Sequence, residues 1–290
     1  MKPIRLDSYA SVFETFIERF DGYPVIEAWT RGFLESLPEP PASVLSIGAG
    51  DGHYDASILN HLLGLGVAPE YWAIEPNPEV IGTLRERLAG HRSQVFCGGF
   101  DDEVALPAAL DRAFDFILMT HCVYFMRRPA EAILRARGLL RPDGHILVHH
   151  QGESPVSELF RELAGSGDRG RGGTRQDHGM TLVTLSEALK AAGIPHFVDE
   201  RPASVFVDEF FDDPARSPAS RQVVLAMLGF FLDLDVGDWP PDRLERAVAF
   251  IRERAVRTSA GRYAFTHPEG LLVIPHPSAA WAPPGMRSVS

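Results

Sequence analysis

The hydrophobic positions of this chain change their period along its length, and the changes divide it. Tyr9, Phe13, Phe16 and Phe20 step by four, three and four residues, which places them on one face of a helix. Val25, Ile26, Trp29, Phe33 and Leu34 predict a second helix, ended by the proline cluster Pro38, Pro40 and Pro41. From residue 44 onward short apolar runs alternate with helical spacing. Val44–Ile47, Tyr71–Ile74, Val95–Cys97, Phe114–Met119 and His145–Val148 read as strands. Ala56–Leu65, Pro78–Leu88, Val104–Leu110 and Ala130–Leu140 read as helices between them. Such alternation predicts a parallel sheet covered by helices on both faces.

Beyond His150 the alternation loosens. Helices are expected at Val156–Ala164, Thr184–Ala192, Arg221–Leu234 and Asp242–Arg257, and short strands at His196–Val198 and Ser204–Val207. Tyr263–Phe265 and Leu271–Ile274 read as a final hairpin, followed by a proline-rich end expected to fray. The expected organisation is an N-terminal helical lid at 1–40 and a core at 41–200. A helical substrate-binding insertion follows at 201–260, then final strands of the core sheet at 261–276 and a flexible tail at 277–290.

Composition narrows the function classes. The chain has 290 residues, 45% of them hydrophobic and 23% charged, which suits a folded protein with a sizeable core. Its net charge of −11 disfavours a nucleic-acid partner. The one basic cluster, Arg169, Arg171 and Arg175, sits in a glycine-rich stretch without aromatic residues for base stacking. No apolar stretch reaches the ~20 residues of a membrane span, and the start lacks the apolar region of a signal peptide. Two cysteines, Cys97 and Cys122, exclude a disulfide scaffold and point to a reducing cytoplasm.

Chemistry concentrates at strand ends. Val44-Leu45-Ser46-Ile47 runs into Gly48-Ala49-Gly50-Asp51-Gly52, with glycine at every second position before a helix. Glycine there permits positive φ and close approach of a ligand to the backbone. The dinucleotide fingerprint would need glycine where His53 stands, and a phosphate loop would need a following lysine. The spacing suits a ligand without a pyrophosphate, such as S-adenosylmethionine, with its amino-acid end over Gly48, Gly50 and Gly52. Glu75, ahead of Pro76 at the end of the second strand, can accept both bonds of a ribose diol. Asp101 or Asp102, after the third strand, could accept from an adenine amino group. Thr120 and His121 close the fourth strand, at the edge where open α/β sheets bind ligands. Asp55 and His53 could in principle ligate a metal, but polar residues at a helix start explain them as well. No metal is expected.

In this order the motifs of residues 40–150 resemble the class I S-adenosylmethionine-dependent methyltransferases. That resemblance implies a Rossmann-like, mostly parallel seven-stranded sheet with helices on both faces, plus a mainly helical substrate cap. Leu271–Ile274 would be its inserted antiparallel strand. The Tyr9/Phe13/Phe16 helix, Leu45-Ser46-Ile47-Gly48, Glu75-Pro76, Asp115-Phe116-Ile117, Tyr124-Phe125 and Gly261 with Phe265 are similar to the histamine N-methyltransferase family. That likeness implies that Tyr9 closes over cofactor and substrate, and that Tyr124 and Phe125 wall the pocket. The family's polar anchors are replaced. His121 stands for a glutamine and His267 for an asparagine. The acid that pairs with an ammonium falls on Gly22, beside Asp21, and a pocket cysteine falls near Asp177 and His178.

Methyl transfer in line to a small acceptor, an imidazole, azole or amine nitrogen, is the leading expectation. An acceptor carrying a proton would need a base, and imidazole side chains titrate near neutral pH, which makes His121 the preferred group. O-methylation of a small hydroxyl or carboxylate metabolite, a nicotinamide-dependent oxidoreductase and a non-catalytic cofactor-binding subunit are the competing readings. His149 and His150, at a strand end without a motif, and Cys122 read as structural.

Overall fold

The computed structural model describes residues 6–100, 110, 113–163, 180–213, 217–279 and 281–290, with side chains from residue 11 onward. In chain order the elements begin α1 (Leu6–Ile17), α2 (Gly22–Ser36), β1 (Ser43–Ile47), α3 (His53–Gly64), β2 (Glu70–Glu75), α4 (Ile81–Leu88) and β3 (Ser93–Cys97). They continue with β4 (Phe114–Thr120), α5 (Pro129–Arg137), β5 (Leu140–Gln151), α6 (Pro155–Leu163), α7 (Leu182–Ala191), β6 (His196–Arg201) and β7 (Ser204–Phe206). The last are α8 (Pro218–Leu232), α9 (Pro241–Arg254), β8 (Val256–Arg257), β9 (Tyr263–Thr266), β10 (Glu269–Pro275) and β11 (Arg287–Val289). The expected helix at Val104–Leu110 lies outside the described residues, apart from its last residue.

These elements form two units. One comprises Pro24–His150, Leu182–Arg201 and Gly270–Ser290. Its sheet has the order β11-β6-β10-β5-β4-β1-β2-β3 and is mostly parallel. β1 pairs with β2 through Leu45↔Trp72 and with β4 through Leu45↔Ile117. All five residues of β1 are buried, as in a strand covered on both faces, which explains why apolar Val44, Leu45 and Ile47 do not alternate with exposed positions. The chain proceeds from β1 outward to β2 and β3 on one side and to β4 and β5 on the other. The gap between β1 and β4 is therefore a topological switch point, and its carboxyl edge is where such sheets bind ligands.

The other unit comprises Met1–Tyr23, Gln151–Thr181 and Pro202–Glu269. It packs α1, α6, α8 and α9 with a three-stranded sheet of order β7-β9-β8. Its core is aromatic: Phe16 stacks on Phe230 at 4.3 Å between ring centroids, and Phe231 meets Phe265 edge-on at 5.8 Å. The period of Phe13, Phe16 and Phe20 thus serves apolar packing within this unit.

Three expectations need correction. Among the described residues the large sheet has eight strands, not seven, because β11 pairs antiparallel with β6 through Ser288↔Phe197. The end at 277–290 is therefore not a loose tail. Its pairing covers backbone groups that an edge strand would leave open, and three residues are too few to give a periodic signal. Trp281 is also anchored, with its ring against Phe33 at 5.7 Å and against His145 at 5.1 Å. Finally, β9 does not join the core sheet as a hairpin with β10. It pairs with β7 and β8, by Val205↔Phe265 and Val256↔Ala264. Adjacent apolar runs show that two strands exist, not which sheet each joins.

Beneath the turn after β1 a buried carboxyl ties α3 to the sheet. Asp55, 3% exposed, accepts a hydrogen bond from the Tyr71 hydroxyl and is also bonded to Ser46. Burial pushes its carboxyl up to about 6, outweighing the lowering by Ser46 and Tyr71. A raised acid favours the fold while protonated, so this stabilisation is complete below the unfolded value near 4 and is lost as pH rises through about 6. Asp55→Asn should therefore match the wild type at pH 4 and exceed it at pH 8 by up to about 3 kcal/mol. Urea unfolding at both pH values checks this, and an unchanged pH slope in the variant would contradict it.

Candidate active site

The turn from β1 into α3 takes its shape from three left-handed glycines. Gly48, Gly50 and Gly52 have φ of 73°, 57° and 78°, a region that side chains rarely adopt. Each glycine also meets a different demand. A Cβ on Gly48 would lie 2.5 Å from the Cβ of Cys122, and one on Gly52 would lie 2.5 Å from Leu84 Cδ1. A Cβ on Gly50 would meet nothing within 4 Å, so that backbone stands open to a ligand. Cys122 donates from Sγ to Ile47 O at 3.1 Å, and burial pushes its thiol up, away from a reactive thiolate. It is packing, as its sequence context suggests.

Glu75 closes the other side. Its Oε2 accepts from Gly50 N at 2.8 Å and its Oε1 accepts from Asn77 N at 2.8 Å. The side chain is only 7% exposed; burial pushes its carboxyl up, while the two backbone donors pull it down. Each oxygen keeps acceptor capacity beyond its one backbone bond. Pro76 follows it and is exposed. Thr120, last in β4, has a buried Oγ1 without a hydrogen-bond partner. An open left-handed turn, a two-oxygen acceptor and an orphaned hydroxyl fit the amino-acid and ribose parts of S-adenosylmethionine.

His121 follows Thr120 with φ 48°, a left-handed value uncommon outside glycine. Its N–H donates to His149 O at 3.1 Å. Beyond it the chain makes a short 3-10 turn, Val123–Phe125, that brings aromatic rings together. The Tyr124 ring lies 6.4 Å from that of His121, 4.9 Å from Phe125 and 5.4 Å from His150. His149 is fully buried, and its Nε2 lies 2.8 Å from Tyr54 Oη and 3.0 Å from Thr30 Oγ1. Burial holds its imidazole well below its ordinary range, so the ring is neutral. Nothing in the sequence links Thr30, Tyr54 and His149, which lie on three separate elements.

The structure thus brings Gly48, Gly50, Gly52, Glu75, Thr120, His121, Tyr124 and Phe125 into one unit. His267 and Asp21 lie in the other. His267 is 5% exposed, with Nδ1 2.9 Å from Ser154 Oγ and its ring edge-on to Phe16 and Phe20. Asp21 accepts from Ser204 N through Oδ1 at 2.6 Å and donates its own N–H to Ser204 O at 3.2 Å, bracing β7. Asp101, Asp102, Asp177 and His178 lie outside the described residues, as does the side chain of Tyr9, whose backbone belongs to α1. Asp115 sits at the opposite end of β4, where its Oδ2 accepts from Ser43 N at 2.9 Å and Ser43 Oγ at 2.8 Å. It fastens β4 to β1 at the amino edge, away from the ligand edge. Among the described residues no group of three or more His, Cys, Asp or Glu could hold a metal ion, and no helix is long and apolar enough to cross a membrane.

The chain is 32% identical over 104 residues to the non-reducing polyketide synthase mapC of Penicillium brevicompactum, a stretch covering 35% of this chain and 4% of that protein. The Penicillium roqueforti counterpart is 30% identical over the same length and is also matched over only 4% of its chain. Among solved structures, YcgJ from Bacillus subtilis superposes with a TM-score of 0.54 at 16% identity, over 86% of this chain and 97% of that one. The plantazolicin methyltransferase BpumL, in complex with a pentazolic desmethylPZN analog and SAH, gives 0.50 at 14% identity, over 91% of this chain and 90% of that one. These two likenesses concern the fold. The family described as methyltransferase domain matches residues 22–194, more than half of the chain. The chain belongs to that family, the S-adenosylmethionine-dependent methyltransferases.

Proposed function

We propose that this enzyme methylates a nitrogen of a small, flat acceptor, an imidazole, azole or amine, at the carboxyl edge of β4 and β5. The observation that carries the reading is the group of rings there: His121, Tyr124, Phe125 and His150 stand next to the glycine turn that this reading assigns to the donor. Aromatic rings favour a planar guest, and histidine can serve it as donor or acceptor. Sequence likeness to the histamine N-methyltransferases supports the same acceptor class. By that likeness the replaced polar anchors, His121 among them, favour a neutral or carboxylate-bearing ring over histamine itself.

Bound S-adenosylmethionine supplies an electrophilic sulfonium methyl. The chain's own contribution is mainly alignment. The glycine turn accepts the amino-acid end of the donor, and Glu75 accepts hydrogen bonds from its ribose hydroxyls. Tyr124 and Phe125 hold the acceptor ring. His121 takes the acceptor's proton where there is one. A neutral azole nitrogen has an available lone pair and makes little demand on that base.

A second reading is O-methylation of a small hydroxyl or carboxylate metabolite. It uses the same residues, but it makes His121 indispensable when the hydroxyl must be deprotonated.

Two outcomes are expected. Glu75→Ala should weaken S-adenosylmethionine binding by about 1.5–3 kcal/mol in titration calorimetry, the scale of a lost charge-assisted hydrogen bond. Equal affinity in that variant would remove Glu75 from the donor site. In a competition assay with azoles, imidazole acids, histamine and phenols, a neutral or acidic azole should be methylated fastest, on nitrogen. His121→Gln should slow that reaction modestly and slow any phenol reaction about 100-fold. Preferred turnover of phenols would favour the second reading. Preferred turnover of histamine would overturn the assignment of the anchors.

A further inference from the structure

β5 is apolar and fully buried through Ile146, Leu147 and Val148, then turns polar at His149 while remaining fully buried. Three polar side chains meet there from three elements. Thr30 comes from α2, Tyr54 from the first turn of α3, and His149 from the carboxyl end of β5. Their contacts close a triangle: Thr30 Oγ1 to Tyr54 Oη at 2.6 Å, Tyr54 Oη to His149 Nε2 at 2.8 Å, and Thr30 Oγ1 to His149 Nε2 at 3.0 Å. Apolar residues of similar size could fill such a space without the desolvation cost of three polar groups. What the triangle adds is fixed geometry, because hydrogen bonds are directional and dispersion contacts are not.

The geometry that it fixes is that of the donor turn. Tyr54 lies two residues after Gly52, which is the N-cap of α3 and the last of the turn's three left-handed glycines. Gly52 N donates to Ala49 O at 3.0 Å, so the first turn of α3 and the glycine turn form one bonded segment. On its other side the backbone carbonyl of His149 accepts from His121 N, which fastens the residue that faces the acceptor rings. His149 is also the register partner of Thr120, so the two side chains share a face of the sheet. One residue is thereby joined to the donor turn through its ring and to the acceptor edge through its carbonyl.

We propose that His149 is a positioning residue for the methyl donor, acting through Nε2 on Tyr54 and Thr30 to hold the glycine turn in its binding shape. The inference rests on the donor-site reading given above. A glutamine at this position reaches as far as Nε2 and an asparagine only as far as Nδ1, so the two amides separate the edges of the ring.

The experiment is titration of S-adenosylhomocysteine into the wild type, His149→Gln, His149→Asn, His149→Leu, Tyr54→Phe and Glu75→Ala, with thermal unfolding of each. His149→Leu and Tyr54→Phe should each weaken binding about five- to tenfold, the effect of one net hydrogen bond. Their double variant should be no weaker than the worse single one, and His149→Gln should restore affinity to within about twofold. His149→Asn should bind as poorly as His149→Leu. Wild-type affinity in His149→Leu or in Tyr54→Phe would overturn the proposal. So would recovery by asparagine but not glutamine, which would assign the role to Nδ1. Tyr54→Phe keeps the ring and its packing, so it remains decisive if a His149 variant fails to fold. Failure of the wild type to bind would overturn the donor-site reading and this inference with it. Binding that depends on Glu75 but not on Tyr54 would overturn this inference alone.

Discussion

The site depends on a short length of backbone held in a conformation that its sequence must permit. Between β1 and α3 the chain turns left-handed at Gly48, Gly50 and Gly52, and the Glu75 carboxylate bonds the middle glycine's N–H. That bond spans the first two strands of the parallel core and draws the turn over the carboxyl edge of β2. On the opposite side Gly48 lies against Cys122, which follows β4. The turn is therefore gripped from β2 and from β4 together, at the point where the strand order reverses direction.

This grip explains why so many polar atoms can be buried around the site. Glu75 is desolvated but has two backbone donors, and Asp55 beneath the turn is bonded by Tyr71 and Ser46. Burial raises each carboxyl and its partners lower it again in part, and the bonds to those partners hold both groups in place. His121 then takes a left-handed φ immediately after β4. A strained residue persists only where its surroundings determine it, and here the His149 carbonyl and the Gly48–Cys122 contact do so.

Much of this was legible in the sequence because it depends on local chemistry. The glycine spacing, Glu75 at a strand end and Thr120-His121 after an apolar run each announce their place through residue type and period. The Tyr124-Phe125 pair was indicated only by resemblance to a known family. The parts that were hidden depend on contacts between distant residues. Nothing about Thr30 or Tyr54 indicates that both would meet His149, whose neighbours in sequence suggested only a strand end. Nor does periodicity show that β9 belongs with β7, or that Arg287-Ser288-Val289 would pair with β6. Both outcomes are set by which edge is available for pairing. Asp115 illustrates the converse. Its residues resemble those of a methyltransferase family, yet its carboxylate fastens the amino edge of β1 and β4, away from the ligand.

The most direct test is a crystal structure with S-adenosylhomocysteine bound. The account predicts the ribose hydroxyls at ordinary hydrogen-bond distance, about 2.6–3.2 Å, from the Glu75 carboxylate, and the amino-acid end over Gly48 and Gly50. The sulfur should face the side of Thr120 and His121. A ligand lying elsewhere, or a ribose turned away from Glu75 while that carboxylate keeps only its bonds to Gly50 and Asn77, would contradict it.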